Sequence, residues 1–316
     1  MATAHRKSWP DGRPFAFTIF DDTDWATRER VAPVYDLLAD LGMNATKSVW
    51  VFGGEGTSCA ENEGATCEER EYLEWILSLQ RRGFEIGLHN IAPATSKRER
   101  TRRGLDRFRE LFGDGKAIHC NHVGCAENIY WGAARLTGWR RHVYNALTRG
   151  RNGHNSRGHI EGDELFWGDL CRERISYVRN FVFNELNTLA LCRQMPYHDP
   201  AKPYVNYWFA SANGSSLRRF MENFTYRAID RLVHEGGLCV AYVHFAADFA
   251  REGRVEPEFQ KRLEYIADKG GWFPTVSQAL DYLREGKGTE ERSISAGDLQ
   301  RLEMRWLASK VVGGTS

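Results

Sequence analysis

No stretch of this chain approaches the roughly 18 uninterrupted apolar residues of a membrane-spanning helix, so no span is expected. The segment Met1–Phe15 has no apolar core of the kind a secretory leader carries, which sets the expectation of a cytoplasmic protein. Neither charge sign is in excess: Lys+Arg 43 against Asp+Glu 42 leaves +1. That balance gives no basic footprint for a nucleic acid, and the short basic stretches Lys97–Arg103 and Arg149–Arg157 read as solvated surface. The seven cysteines are odd in number and scattered, which suggests free thiols in a reducing compartment. Cys59 and Cys67 bracket a Gly/Glu-rich loop, but no second pair repeats their spacing. No internal repeat, low-complexity tract or linker divides the chain.

What the chain does have is alternation. Apolar runs of strand character at Phe15–Phe20, Ala45–Phe52, Phe84–Leu88, Ala117–His122, Ile175–Phe183, Tyr204–Ala210 and Leu238–His244 are separated by segments of helical periodicity. Helices are expected at Val31–Leu41, Glu68–Arg82, Lys97–Phe112 (capped by Ser96), Gly138–Leu147, Ser216–His234, Pro257–Lys269 and Val276–Glu285. Such βα alternation, over 316 residues of which 42% are hydrophobic, is long enough for a parallel sheet closed into a barrel. The expectation is one barrel-like α/β unit over 1–286, followed by a polar tail over 287–316 with a peripheral helix at Leu299–Lys310.

The junction of Phe15–Phe20 with Asp21-Asp22-Thr23-Asp24 carries the most chemistry. Three carboxylates crowded at a buried strand end repel one another unless a cation or proton neutralises them. One helix cap requires one Asp, not three. Other strand ends carry histidines: His89 after the third run, His119 and His122 around the fourth, His244 after the last. In a barrel these ends converge on one face. Carboxylate oxygen with imidazole nitrogen suits Zn²⁺ or another divalent transition metal, Co²⁺ or Mn²⁺ included.

With these residues in place, the chain resembles the polysaccharide deacetylase family, the NodB-like carbohydrate esterases. FTIFDDTD is similar to the family's first motif, GFEIGLHN to the strand leading into its second, and LCVAYVHF to its last. The resemblance spans roughly 15–283 and implies a distorted (β/α) barrel. It implies Asp21 as catalytic base, Asp22 and His89 as metal ligands and His244 as general acid. The implied activity is metal-dependent removal of an acetyl group from an N-acetylated sugar or glycan precursor.

The chain departs from the pattern in two places. Pro93 occupies the position of the family's second histidine, and HCNHVGC stands where an arginine and prolines are usual. His122 is the expected replacement ligand, with His119 or Asp24 as fallback. Three residues apart on a strand, His119 and His122 point to opposite faces, and His122 lies nearer the loop. Trp167, Asp169 and His198 are candidate substrate contacts; Trp167 reads equally as core, Asp169 as a helix cap and His198-Asp199-Pro200 as a turn. Trp131, Tyr204, Tyr207 and Trp208 suit a carbohydrate cleft or an ordinary core. Two other activities stay open: metal-free hydrolysis of a non-glycan amide, or glycan binding without turnover.

Overall fold

The computed structural model describes residues 9–55, 64–148, 156–285 and 293–313. Seven strands form a closed, all-parallel barrel in chain order: β1 Ala16–Asp21, β2 Thr46–Val49, β3 Glu85–His89, β4 Ala117–Cys120, β5 Ile175–Phe183, β6 Tyr207–Gly214 and β7 Leu238–Val243. Parallel neighbours require crossover connections, which are supplied mainly by helices outside the barrel. These include α1 Arg28–Asp40, α2 Arg70–Arg81, α3 Arg98–Phe112, α4 Trp139–Leu147, α5 Gly168–Arg174 and α6 Thr188–Leu191. After β6 come α7 Leu217–Asn223 and α8 Tyr226–Glu235, and after β7 come α9 Pro257–Asp268, α10 Val276–Glu285 and α11 Ala296–Gly313.

The barrel strands read as near-continuous apolar runs because both faces are covered. All six residues of β1 are buried, and so are all six of β7, which closes the barrel against it with Asp21 opposite Val243. Phe20 packs on Phe209 of β6 at 6.1 Å, while Val31, Val34, Tyr35 and Leu38 of α1 pack from outside. Two cationic side chains lie deep in the wall: Lys47 on β2 and Arg179 on β5, both almost fully buried. Each has a carboxylate partner, as burial of a charge demands.

Several expected boundaries move. The helix expected over Ser216–His234 is two helices, α7 and α8, and Thr225 between them caps the second by accepting from Ala228 N. Ser96 does not cap α3; Lys97 holds the cap position without a side-chain bond. The cap of α1 is Thr27, so none of Asp21, Asp22 and Asp24 is needed there. The C-terminal helix covers Ala296–Gly313, and its Leu302, Trp306 and Leu307 are buried, with Trp306 stacked on Tyr144 of α4. Cys59 lies outside the described residues; the six described cysteines are free and buried.

Candidate active site

Side chains alternate in direction along a strand, and that alternation sorts the acidic cluster. Asp22 lines a cleft at the carboxyl end of the barrel, together with Asp24, His89 and His244. Asp21 faces the other way, toward α1. Its Oδ2 accepts from Tyr35 Oη at 2.9 Å and pairs with Lys47 Nζ at 3.1 Å, while Oδ1 accepts from Phe245 N at 2.8 Å. Burial raises the Asp21 pKa against the pull of Lys47. The carboxylate expected to act as base is therefore walled into the barrel's outer layer, with its oxygens already engaged.

Asp22 is held instead by Arg179, through a fork of two bonds: Nη1 to Oδ1 at 2.7 Å and Nη2 to Oδ2 at 2.5 Å. The register between β5 and β6 shifts between Arg179 and Val182, an irregularity of the kind that re-aims side chains beside active sites. Burial works to raise the Asp22 pKa, but Arg179 overcomes it and the carboxyl stays below its ordinary range. Asp22 is thus an ionised carboxylate, each of whose oxygens accepts one bond from a guanidinium.

Asp24 meets the histidines. His89 Nε2 is 2.9 Å from Asp24 Oδ2, His122 Nδ1 is 3.5 Å from Asp24 Oδ1, and the two imidazole nitrogens are 3.0 Å apart. Burial opposes ionisation of Asp24, yet His89 and His244 hold its pKa well below the usual range. His122 is neutral: burial, with His89 beside it, pushes its pKa down to about 3. Trp50 backs both rings, at 5.9 Å from His89 and 5.2 Å from His122. The loop that carries His122 is pinned by Asn128, whose Nδ2 donates to the His122 carbonyl at 2.6 Å. Asn128 Oδ1 in turn accepts from Asn90, a residue held at a φ of 49°. Asn tolerates that left-handed conformation better than most residues.

The donor set fits a transition metal. Metal–ligand bonds of about 2.0–2.2 Å at tetrahedral or octahedral angles separate donor atoms by roughly 3 Å, the spacing seen here. The other His89 nitrogen, Nδ1, lies 2.8 Å from Cys120 Sγ, and that thiol donates to Asp22 Oδ1 at 3.3 Å. His89 Nε2, His122 Nδ1 and the Asp24 carboxylate are thus grouped as donor atoms that one cation could join. Asp22, Asp24 and His244 form a second possible grouping, and a third, Asp22, His89 and Cys120, suits a metal less well. Asp22 is taken by Arg179, and burial drives the Cys120 thiol pKa well above its ordinary value.

His244 completes the cleft. Its Nδ1 donates to the Ser215 carbonyl at 2.7 Å, which fixes the ring and leaves Nε2 facing Asp24 Oδ2 at 3.4 Å and Tyr242 Oη at 3.3 Å. Burial works to lower the His244 pKa, but Asp24 and Asp22 lift it to about 9. Trp25, partly exposed, covers the ring edge-on at 5.7 Å.

The three expected substrate contacts lie elsewhere. Trp167 is buried outside the barrel wall, donates Nε1 to the Glu127 carbonyl at 2.6 Å and packs on His119 at 5.4 Å. His119 therefore faces away from the cleft, as its odd spacing from His122 requires. Asp169 sits in the first turn of α5 and takes both arms of Arg98, at 2.6 and 2.7 Å. His198 Nδ1 contacts the carbonyls of Val205 and Asn206, each at 3.1 Å. Trp131 does line the cleft. Arg179, Cys120 and Tyr242 were not anticipated; the signal for Arg179 was a lone cation inside the apolar run ISYVRNFVF.

No family model matches the chain, and no curated protein matches it. Solved structures align with it at low identity. A candidate polysaccharide deacetylase from Mycobacterium smegmatis aligns over 92% of this chain and 97% of its own, at 15% identity and a TM-score of 0.48. The chitin deacetylase of the fungal pathogen Colletotrichum lindemuthianum aligns over 85% and 88%, at 15% identity and TM-score 0.42. The catalytic domain of a peptidoglycan N-acetylglucosamine deacetylase from Eubacterium rectale aligns over 87% and 93%, at 12% identity and TM-score 0.40. Among this chain's described residues, no helix is long and apolar enough to cross a membrane.

Proposed function

We propose that the chain is a metal-dependent hydrolase that removes an acetyl group from an N-acetylated sugar or glycan precursor. The convergence of Asp24, His89 and His122 within 3.5 Å of one another carries this reading. These three residues would hold the ion, Zn²⁺ first among the candidates and Co²⁺ or Mn²⁺ after it. The bound ion would supply Lewis-acid polarisation of a carbonyl and acidify water.

The remaining work falls to the protein's own side chains. Asp22 stays ionised through its fork with Arg179, so its carboxylate is the group that accepts a proton from the attacking water. His244 is anchored at Nδ1 and carries a proton at Nε2, which it can give to the leaving amine. A base held acidic and an acid held basic, in one cleft, is the pairing that acid–base hydrolysis requires. The roles thus shift by one aspartate from the motif resemblance: Asp22 replaces Asp21 as base, and Asp24 replaces Asp22 as ligand.

Acetate release from N-acetylated sugars, measured before chelation, after it and after Zn²⁺ is restored, tests the reading. Turnover that follows the metal supports it. Hydrolysis that continues unchanged after complete chelation contradicts it and favours a metal-free amidase.

A further inference from the structure

Arg135 closes the short turn Gly132–Arg135 that precedes α4, and it is 2% exposed. Its guanidinium carbon lies 3.8 Å from the ring centre of Trp131 and 4.7 Å from that of Trp306. Nη1 donates to the Asn180 carbonyl at 3.1 Å. Among the described residues, Nε has no hydrogen-bond partner and no carboxylate comes within ion-pair distance of the guanidinium. The two acids that line the cleft are engaged elsewhere: Asp22 by Arg179, and Asp24 by His89, His122 and His244. The other arginine of this cleft, Arg179, has its counter-ion; among the described residues, Arg135 has none.

A buried cation without a counter-ion is unfavourable, and stacking on two indoles offsets only part of that. Burial accordingly pushes the Arg135 pKa down to about 10, with Tyr144 pulling the other way. The position is informative because Arg135 lines the same cleft as Asp22, Asp24, His89 and His244. A group that the fold leaves uncompensated and opens to a site is placed to be compensated by what enters the site.

We infer that Arg135 is an anion anchor, and that the substrate is an N-acetylated sugar bearing a carboxylate or a phosphate. The inference rests on the hydrolase reading for the sugar, but the anion preference itself does not require turnover. Trp131, stacked on the guanidinium, presents an apolar wall beside the anion position.

Calorimetric titration of the purified full chain with three probes tests this: N-acetylglucosamine, its 1-phosphate and the corresponding N-acetylated uronate. One or both anionic sugars should bind about tenfold or more tighter than the neutral one, since charge-assisted hydrogen bonds are the strong ones. The tighter of the two identifies the anion as phosphate or carboxylate. Arg135→Gln should bring the ratio near one and leave the neutral sugar within about twofold. Arg135→Lys, which keeps the charge but not the fork, should retain part of the preference. Equal binding of all three by the wild type overturns the inference, whether or not the variants fold. So does a preference that survives Arg135→Gln, or one that vanishes on chelation, which would assign the anion to the metal. Anion preference without hydrolysis of any probe would remove the hydrolase reading and leave the anchor standing; hydrolysis without preference would do the reverse.

Discussion

Asp22 and Arg179, 157 residues apart in sequence, meet through two hydrogen bonds of 2.7 and 2.5 Å inside the barrel mouth. Neither residue is more than 3% exposed. The pair fixes a carboxylate in its ionised form. It also anchors β5 to the end of β1.

Removing one partner of such a pair leaves a buried charge uncompensated, which costs about 3–5 kcal/mol. Arg179→Gln should therefore unfold at markedly lower urea than wild type, and the folded fraction should lose turnover as Asp22 gains a proton. Asp22→Asn should lose turnover by at least about a hundredfold while metal stays bound. Urea titration with parallel acetate-release assays checks both. Full activity in Asp22→Asn would return the role of base to another residue.

Asp21→Asn should behave differently. Its carboxylate serves Lys47, Tyr35 and Phe245 N, all buried, so the loss falls on stability, again about 3–5 kcal/mol. Turnover per folded molecule should stay within a few-fold of wild type. Comparison of unfolding midpoints with kcat on the soluble fraction separates the two effects.

Buried neutral His119 gives the fold a pH sensitivity. Burial, with the neighbouring His89, pushes its pKa down to about 3, from an ordinary 6.5 in the unfolded chain. Below pH 6.5 the unfolded chain takes up a proton that the folded chain refuses until about 3, so stability falls as pH drops through that window. Denaturant midpoints between pH 7 and 4 should show that slope, and His119→Phe, which removes one of three such rings, should reduce it, with His122 and His159 supplying the remainder.

His244 has the opposite sign. Its pKa is raised to about 9, so its contribution to stability is complete below pH 6.5 and is lost as pH rises toward 9. In metal-depleted protein, NMR titration of the ring should find it protonated at pH 7. A ring already neutral at pH 7 would contradict its role as proton donor.

The barrel was legible because parallel strands buried on both faces leave long apolar runs, as in FAFTIF and LCVAYV. Strand ends with Asp22, His89 and His244 followed from the same runs. What the motif left ambiguous was parity: Asp21 and Asp22 are adjacent, so only one can face the cleft, and the rule that separates His119 from His122 decides it. Asp24 lies beyond the strand, where periodicity no longer orients a side chain. Arg179 was visible only as an oddity in an apolar strand, since nothing local says which carboxylate it crosses the barrel to meet. Trp167 and Asp169 take their partners, Glu127 and Arg98, from distant parts of the chain, and His198 sits in an irregular segment that folds back on the carbonyl of Val205, seven residues on.

The most direct test of the site is the metal content of the purified protein by plasma mass spectrometry, for wild type and for Asp24→Asn, His89→Ala, His122→Ala, Asp22→Asn and Asp21→Asn. Wild type should carry close to one divalent transition metal per chain. The Asp24, His89 and His122 variants should lose it, while folded Asp22→Asn and Asp21→Asn keep it. Metal retained in Asp24→Asn and lost in Asp22→Asn would contradict the assignment, as would a wild type that takes up no Zn²⁺, Co²⁺ or Mn²⁺ at all.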